Sequence, residues 1–314
     1  MDKLDFLNQL NTDLTHLEKK LSKNIDSTEK FSNLFILGLP RSGTTLIGQI
    51  LFNCLNVNCV DELSSKFWKV PLVGAHLSKY VLGDFKSNNY ESFYGRALNF
   101  ANPHEFSWFW HEYLEKDETH KLYNSITNDN LHKLSKKINQ LSNIYQQSLV
   151  YKPLDLFFPV LENLENFNKK SFFIYIDRNE LDIGMSILKA RQINNKNIND
   201  WWSSYPLEND YIKIKNMDPF TQIAGQIFFL KRHFFKLLDN IPEDRLIIIS
   251  YEKLCSDPYN TLNSIITKIN KINENKLSII NKPKEFVKRK HNYNENDLKK
   301  MESKLKLIKK EYND

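Results

Sequence analysis

The stretch at residues 35–46, Phe-Ile-Leu-Gly-Leu-Pro-Arg-Ser-Gly-Thr-Thr-Leu, constrains the fold more than any other part of the chain. An apolar run ends in a tight turn rich in Gly and Pro, and this turn leads directly into a helical pattern. The frame Gly38-x4-Gly43 is typical of loops that wrap their backbone N–H groups around a phosphate at a helix N-terminus. The segment therefore predicts a buried strand, an anion-binding loop and a helix.

The residues that follow the second glycine argue against a nucleoside triphosphate as the ligand. In NTPase loops a Lys comes next and reaches the β- and γ-phosphates, and a Ser or Thr hydroxyl then binds Mg²⁺. Here Thr44 occupies the Lys position and Thr45 follows it. The cation of the loop is Arg41, which can meet a single phosphate with its substituent but does not straddle a triphosphate. The loop therefore favours a shorter anion than ATP.

The segment Pro40-Arg41-Ser42-Gly43-Thr44-Thr45 closely resembles the 5′-phosphosulfate loop of the sulfotransferases that use 3′-phosphoadenosine 5′-phosphosulfate (PAPS). The resemblance implies that these six residues bind the 5′ end of this co-substrate. A single Gly-rich loop more often marks an ordinary strand-to-helix turn, so independent support has to come from the rest of the chain.

A second resemblance to this family lies around residues 171–186. Residues 171–176 are aromatic and β-branched, which predicts a buried strand. Arg178 follows this strand, and Asp182 and Ser186 come four and eight residues after it. In the family, Arg and Ser at this spacing bind the 3′-phosphate, so the resemblance implies that role for Arg178 and Ser186; eight residues are just over two helical turns, which puts them on one side. The alternative is an Arg–Asp182 pair on a helix face.

The proposed general base follows a predicted short strand at residues 57–60. The carboxyl ends of parallel strands face the ligand crevice, and the acidic pair Asp61-Glu62 comes at this end. In the tyrosylprotein and bacterial sulfotransferases that the chain resembles, an acidic residue at this distance is the base. Glu62 is our choice because Glu-Leu fits the bacterial pattern, whereas Asp61 fits the tyrosylprotein spacing. A solvated acidic pair is the alternative, and His104 or His111 could serve as base, as a histidine does in cytosolic members.

The step Lys152-Pro153 follows a predicted strand edge at residues 149–151 and precedes a helix predicted at residues 154–167. It resembles a Lys-Pro step at which the family's Lys contacts the transferring sulfuryl group. The resemblance therefore implies that Lys152 is catalytic, together with Glu62 and Arg41.

The predicted strand at residues 246–249 is followed by Tyr251-Glu252, which resembles the Tyr-Glu-x-Leu pattern of the family. The resemblance puts Tyr251 near the adenine or a bound phosphate, and Glu252 is expected to brace the loop. Asp257-Pro258 predicts a helix start, with Asp as N-cap and Pro at the first position.

The basic run Lys288-Arg289-Lys290 is compared with an Arg-Lys-Gly segment that cytosolic members of the family close over the 3′-phosphate. The run lacks the Gly. A basic run of this kind is usually a solvated surface segment.

The length and composition suit one α/β domain that covers residues 1–314. A chain of 314 residues with 41% hydrophobic and 13% aromatic residues can bury a sizeable core. Alternating buried strands and amphipathic helices predict a P-loop-like three-layer fold with a central parallel sheet flanked by helices. Amphipathic helices are expected at about residues 4–22 and 296–312, packed on this body. Dimerisation through the first of them, giving a homodimer, is the alternative.

The charge and the cysteine content limit which partners and which cellular compartment we expect. The net charge of +6 suits an anionic ligand, and without a compact basic stripe we expect no nucleic acid partner. Three cysteines fit neither a disulfide framework nor a zinc site, which favours a reducing compartment. The polar N-terminal stretch predicts neither a signal peptide nor a membrane span, so we expect a cytoplasmic protein that is not bound to a membrane.

The sequence thus predicts transfer of a sulfuryl group from PAPS to a hydroxyl or amine, without a metal ion. The acceptor is expected to be a small molecule or carbohydrate, with a protein as a further option. Two other functions stay open: an NTP-dependent kinase or NTPase, and a non-catalytic nucleotide-binding scaffold on the same fold.

Overall fold

A computed structural model of the chain describes residues 1–83, 85–86, 90–93, 96–97, 100–116, 123–286 and 293–312. Its strands are β1 (Leu34–Leu37), β2 (Asn58–Cys59), β3 (Ser92–Phe93), β4 (Arg96–Ala97), β5 (Glu115–Lys116), β6 (Tyr123–Ser125), β7 (Leu149–Tyr151), β8 (Phe172–Asp177) and β9 (Leu246–Ser250). Its α-helices are α1 (Lys3–Asp13), α2 (Thr15–Asn24), α3 (Thr44–Cys54), α4 (Pro71–Leu82), α5 (Ser107–His111), α6 (Asn128–Tyr145), α7 (Phe158–Glu162), α8 (Glu180–Ala190), α9 (Glu208–Ile214), α10 (Pro219–Leu238), α11 (Tyr251–Ser256), α12 (Pro258–Ile272) and α13 (Glu295–Tyr312).

Five strands form one sheet in the order β2-β7-β1-β8-β9, and each neighbouring pair is parallel. β1 lies in the middle, where Phe35 is opposite Tyr151 of β7 and Phe173 of β8. The remaining short strands form two separate hairpin-like pairs, β3-β4 and β5-β6. The central parallel sheet confirms the predicted α/β fold.

The side chains of β1 alternate between two hydrophobic cores, one on each face of the sheet. Leu34 and Ile36 lie in a core with residues of α3 and α12, whereas Phe35 and Leu37 lie in a core with residues of α6, α8 and α10. In the second core the ring of Phe35 stacks on Phe157 with 4.6 Å between centroids. Because both faces are covered by helices, the strands are apolar throughout, as is usual for parallel sheets. The result is the predicted three-layer arrangement.

The N-terminal segment differs from the single helix expected at about residues 4–22. It forms two helices, α1 and α2, which meet at Leu14. Next to this junction the Thr15 hydroxyl donates to the carbonyl of Asn11 at 3.3 Å, a back-bond that bends helices. At the other end of the chain, the helix expected at about residues 296–312 is α13, and its buried residues Met301 and Ile308 belong to the core with α8 and α10.

The segment at residues 154–167, which the pattern predicts as one helix, is also interrupted. It consists of Leu154–Phe157, α7 and Leu164–Asn166, of which the first and last are short 3₁₀ turns. Pro159 lies in the first turn of α7, where its missing N–H does no harm, but no helix can run continuously through this position.

Asp257 caps α12 as the sequence predicts, since its carboxylate accepts from the Asn260 N–H at 3.2 Å and Pro258 takes the first helical position. Asp257→Ala is expected to lower the free energy of unfolding by about 0.5 to 2 kcal/mol, because the first turn loses its side-chain acceptor. Urea denaturation measures this loss. Asp257→Asn keeps a capping oxygen and should lose less; equal losses in the two variants would contradict a capping role.

Candidate active site

The carboxyl ends of all five strands meet at one edge of the sheet, and a proposed site residue follows each strand. In the spatial order of the sheet these are Glu62 after β2, Lys152 after β7, the loop at residues 38–43 after β1, Arg178 after β8 and Tyr251 after β9. Such an edge is where open parallel sheets bind their ligands. The parallel order therefore brings together residues that are far apart in the sequence.

The loop at residues 38–43, here called the glycine loop, is packed tightly against β8 and α11. Gly43 has a φ of 108°, and a Cβ atom at this position would lie 2.4 Å from Cδ2 of Tyr251. A residue with a side chain would be strained at this φ, and its Cβ atom would displace the ring of Tyr251. Glycine avoids both effects. Arg41 also has a positive φ of 68°, which turns the chain before α3 begins at Thr44. The N-terminus of α3 consequently opens beneath the loop, where its N–H groups favour an anion.

Two polar atoms beside the glycine loop are buried and have no hydrogen-bond partner within the described part of the chain. They are the Ser42 hydroxyl and Nε of Arg178. Buried polar groups in proteins are normally satisfied, and a polar ligand at this sheet edge would give both atoms a partner.

Arg41 connects the glycine loop to the segment after β8. Its Nε donates to the Ser186 hydroxyl at 2.9 Å, and its carbonyl oxygen accepts from the Arg178 guanidinium at 2.8 Å. Arg178 also lies over the ring of Tyr251, 4.3 Å from the centroid. The structure thus brings Arg41, Arg178, Ser186 and Tyr251 together, although the first and third are separated by 145 residues.

Glu252 connects α11 with the start of α8. Its carboxylate accepts from the Asn179 N–H at 3.3 Å and from the Ser250 hydroxyl at 2.9 Å. The side chain of Asn179 in turn caps α8 through the N–H groups of Leu181 and Asp182. The start of α8, the helix that bears Ser186, is therefore held by Glu252 and by the Asn179 side chain.

Lys152 points at the first turn of α3 from below the sheet edge. Its ammonium donates to the Thr45 hydroxyl at 2.9 Å and forms an ion pair with Glu105 at 3.0 Å. The side chain is only 2% exposed, so its charge is held in one place by these contacts. This is a cation beside the glycine loop, as the sequence predicts.

Of the two acidic residues after β2, Glu62 is partly exposed and Asp61 is buried. The Asp61 carboxylate is 3% exposed and accepts from the N–H of Ser64 at 2.7 Å and from the Ser78 hydroxyl. Burial raises the pKa of Asp61, with its hydrogen bonds acting in the opposite direction. Asp61 therefore shapes the turn, while the Glu62 side chain remains 30% exposed and pairs with Lys66.

His104 lies against Glu62, with 3.3 Å between its Nε2 and a carboxylate oxygen. Its Nδ1 accepts the N–H of Phe106 at 2.9 Å, so the ring proton belongs on Nε2 and faces Glu62. In this arrangement neither ring nitrogen of His104 is open to an acceptor hydroxyl. His111 lies at the end of α5, with its ring 5.9 Å from that of Trp108.

The model of a sulfotransferase family matches residues 33–270, which include every residue of this cluster. The chain belongs to the sulfotransferase family. Solved structures similar to this sulfotransferase include STF9 from Mycobacterium avium, with 11% identity, coverage of 97% of this chain and 74% of that one, and a TM-score of 0.49. STF1 from Mycobacterium tuberculosis has 12% identity, covers 93% and 81% of the two chains, and has a TM-score of 0.47.

A third similar structure is the sulfotransferase domain from the curacin biosynthetic pathway. It has 16% identity, the match covers 77% of this chain and 75% of that domain, and the TM-score is 0.43. No curated protein sequence matches the chain significantly.

Two charged residues of this cluster, Lys66 and Glu105, were not predicted from the sequence. Lys66 stands four residues after Glu62, and the i,i+4 spacing on a helical turn could have indicated the pair. Glu105 offers no such signal, because its partner Lys152 is distant in sequence and joins it only through the fold. The basic run at residues 288–290 lies outside the described residues.

Among the described residues, no helix is both long and apolar enough to cross a membrane. Among the same residues, no group of three or more His, Cys, Asp and Glu side chains is arranged to hold a metal ion.

His104 is expected to be neutral, with its proton on Nε2, at a pH where a free histidine is half protonated. Burial is the main cause that lowers its pKa, and the charges of Lys66 and Lys152 add to it against the attraction of Glu62 and Glu105. Long-range ¹H–¹⁵N NMR spectra of the sulfotransferase report both the charge and the tautomer. A neutral ring with its proton on Nδ1 would contradict the pairing with Glu62, and a charged ring at neutral pH would contradict the lowered pKa.

Proposed function

We propose that the protein transfers a sulfuryl group from PAPS to a hydroxyl or amine of an acceptor and releases 3′-phosphoadenosine 5′-phosphate (PAP). The observation that supports this most is that the glycine loop at the N-terminus of α3 lies beside Arg178 and Ser186, both of which contact Arg41 of the loop. A ligand with two separated anionic groups satisfies both the loop and this pair. ATP has no 3′-phosphate and would satisfy only one.

In the proposed complex the 5′-phosphosulfate lies in the glycine loop, made by Pro40-Arg41-Ser42-Gly43-Thr44-Thr45. The loop N–H groups, the unpaired Ser42 hydroxyl and the α3 N-terminus provide donors for it. The 3′-phosphate then meets Arg178, whose buried Nε has no partner among the described residues, and the Ser186 hydroxyl. Tyr251, beneath the Arg178 guanidinium, borders the same space.

Chemistry then requires a base for the acceptor and stabilisation of the leaving group. Glu62 takes the acceptor proton as the acceptor oxygen or nitrogen attacks sulfur in line, and the bond from sulfur to the bridging oxygen breaks with its electron pair leaving on PAP. Arg41, Lys152 and the loop N–H groups stabilise the charge that grows on that oxygen. A sulfuryl group carries less charge than a phosphoryl group, so we propose that these donors act without a metal ion.

The acceptor is proposed to be a small molecule or carbohydrate, with a protein side chain as a further option. An exposed aromatic face lies in the segments that flank the Glu62 and His104 pair. Trp108 is 53% exposed, and its ring lies 6.0 Å from that of Trp68, which follows Lys66 by two residues. An indole face of this kind can stack on a phenol or on a sugar ring.

Radiolabelled PAPS, offered with a panel of phenols, sugars, amines and tyrosine peptides in the presence of a chelator, tests the proposal. Label should move to at least one acceptor class, with an equal amount of PAP formed. If the protein instead hydrolyses ATP or transfers its γ-phosphate when Mg²⁺ is added, and never uses PAPS, the kinase or NTPase alternative is correct.

A further inference from the structure

The two N-terminal helices lie outside residues 33–270, the segment that matches the sulfotransferase family, yet they contact the segment next to the proposed base. The contact is made by Asn11 of α1, whose side chain is 0% exposed. Burying an amide costs free energy unless its hydrogen bonds are made. The partners of Asn11 therefore show which part of the chain it stabilises.

Asn11 forms hydrogen bonds with the backbone just beyond Glu62. Its Nδ2 donates to the carbonyl oxygen of Lys66 at 2.8 Å and to that of Leu7 at 2.9 Å, and its Oδ1 accepts from the N–H of Lys69 at 2.9 Å. Residues 66–69 leave the short 3₁₀ turn Ser64–Phe67 and belong to no strand of the sheet. The Asn11 amide therefore supplies hydrogen-bond partners to the Lys66 carbonyl and the Lys69 N–H from outside the turn.

The position of the Lys66 backbone bears directly on Glu62. The ammonium of Lys66 pairs with the Glu62 carboxylate, and the Ser65 hydroxyl donates to the Glu62 carbonyl at 2.8 Å. Glu62, Ser65 and Lys66 therefore move together. A displacement of the Lys66 carbonyl would shift the cation that fixes the carboxylate on the side opposite His104.

A second side chain from these helices holds the far end of the same segment. Glu18 of α2 accepts from the N–H groups of Leu72 and Val73, at 3.0 and 3.2 Å, in the first turn of α4. Its other oxygen pairs with Lys137 of α6 at 2.6 Å. With Asn11 at one end and Glu18 at the other, residues 66–73 are fixed to the N-terminal helices.

We propose that Asn11 is a positioning residue for the general base: through the backbone of Lys66 and Lys69 it sets the place of the Glu62 and Lys66 pair. The inference rests on the proposed function, in which Glu62 takes the acceptor proton. Asn11 does not touch the glycine loop, Arg178 or Ser186 in any contact described above, so its effect is on turnover and not on binding of PAP.

Asn11→Ala leaves the Lys66 carbonyl and the Lys69 N–H without their side-chain partner. Turnover is expected to fall roughly 10- to 100-fold, since a displacement of about 1 Å at a catalytic group has an effect of this order. Affinity for PAP should stay within about two-fold, because the phosphate-binding residues keep their contacts. Should this variant fail to fold, Asn11→Asp, which retains the acceptor for Lys69, replaces it in the same comparison.

Gln140→Ala is the matched control. Gln140 of α6 is also 0% exposed and forms three hydrogen bonds with the end of α2: Nε2 donates to the carbonyls of Ser22 and Ile25, and Oε1 accepts from the Ser22 hydroxyl. The variant Gln140→Ala therefore tests the loss of a buried amide that contacts the N-terminal helices but not residues 66–69. Gln140→Ala should lower the melting temperature as Asn11→Ala does and leave turnover unchanged.

Amide hydrogen exchange, followed by mass spectrometry, tests the inference without any assay of activity. Asn11→Ala should speed exchange at residues 62–70 and leave residues 38–45 as in the wild type, while Gln140→Ala should change neither. Unchanged exchange at residues 62–70 in Asn11→Ala would overturn the positioning role, whatever the enzyme does.

Kinetics then separate this inference from the proposed function. In the double variant Asn11→Ala/Glu62→Gln, turnover should be no lower than in Glu62→Gln alone, because Asn11 acts through Glu62. Losses that multiply would show that Asn11 acts by another route and overturn the inference. If Glu62→Gln itself is fully active while exchange at residues 62–70 responds to Asn11, the general base is wrong and the contact to this segment stands.

Discussion

Glu62→Gln is expected to lower turnover about 10²- to 10⁴-fold, which is the usual contribution of a positioned carboxylate that removes a proton. The substitution keeps the size of the side chain and its hydrogen-bonding to Lys66 and His104 in part, but it removes the basicity. PAP affinity should stay within a few-fold of the wild type, because Glu62 follows β2, and β7 separates β2 from β1, the strand that leads into the glycine loop. Steady-state rates with an identified acceptor and calorimetry with PAP measure the two quantities.

Asp61→Asn is the control for this experiment. Asp61 is buried and accepts from Ser64 and Ser78, so its loss should affect stability more than the chemical step. His104→Gln should cost less than Glu62→Gln, since a histidine with both nitrogens engaged orients the carboxylate and does not take the proton. Near-normal turnover of Glu62→Gln, combined with an inactive Asp61→Asn or His104→Gln, would assign the base to the other residue.

Arg178→Ala is expected to weaken PAP binding roughly 10- to 100-fold, which corresponds to about 1.5 to 3 kcal/mol for a charge-assisted contact with a phosphate. Affinity for AMP, which lacks the 3′-phosphate, should fall much less. Arg41→Ala should weaken both ligands, because Arg41 lies in the loop assigned to the 5′ group and also reaches Ser186. Isothermal titration calorimetry of the two variants with the two nucleotides separates these effects.

Arg232→Ala is a suitable control for the arginine variants. Arg232 is a half-exposed residue of α10 that pairs with Asp210, away from the sheet edge. It should leave the binding of both nucleotides unchanged. The Arg178 guanidinium also donates to the Arg41 carbonyl, so an equal loss of PAP and AMP affinity in Arg178→Ala would indicate that it only supports the loop.

The elements of the central sheet could be predicted because each has a local signal. β1, β8 and β9 are short apolar runs, and each lies within a residue or two of its predicted position. The order of the strands has no local signal, since β7 lies between β2 and β1 although it is distant from both in the sequence. The break between α1 and α2 was not predicted either, because the leucine pattern continues through Leu14 while the Thr15 back-bond bends the chain.

The site also contains some residues that local sequence patterns indicate and others that only the fold brings together. The glycine loop and the spacing of Arg178 and Ser186 are local patterns, and the adjacency of β1 and β8 brings them together. The pair of Lys152 and Glu105 depends on the fold around α5, so no spacing in the sequence indicates it. The role of Asn11 is invisible in the sequence for a related reason: a single asparagine in an amphipathic helix looks like a solvent-facing residue until its partners are known.

Titration of the wild-type protein with PAP and with AMP, in a buffer that contains a chelator, tests the two-phosphate site most directly. Both the glycine loop and the Arg178 and Ser186 pair should contribute, so PAP is expected to bind at least roughly 10-fold more tightly than AMP, without divalent metal. Equal affinities for PAP and AMP, or binding that appears only when Mg²⁺ is restored, would contradict the assignment of the second phosphate to Arg178 and Ser186.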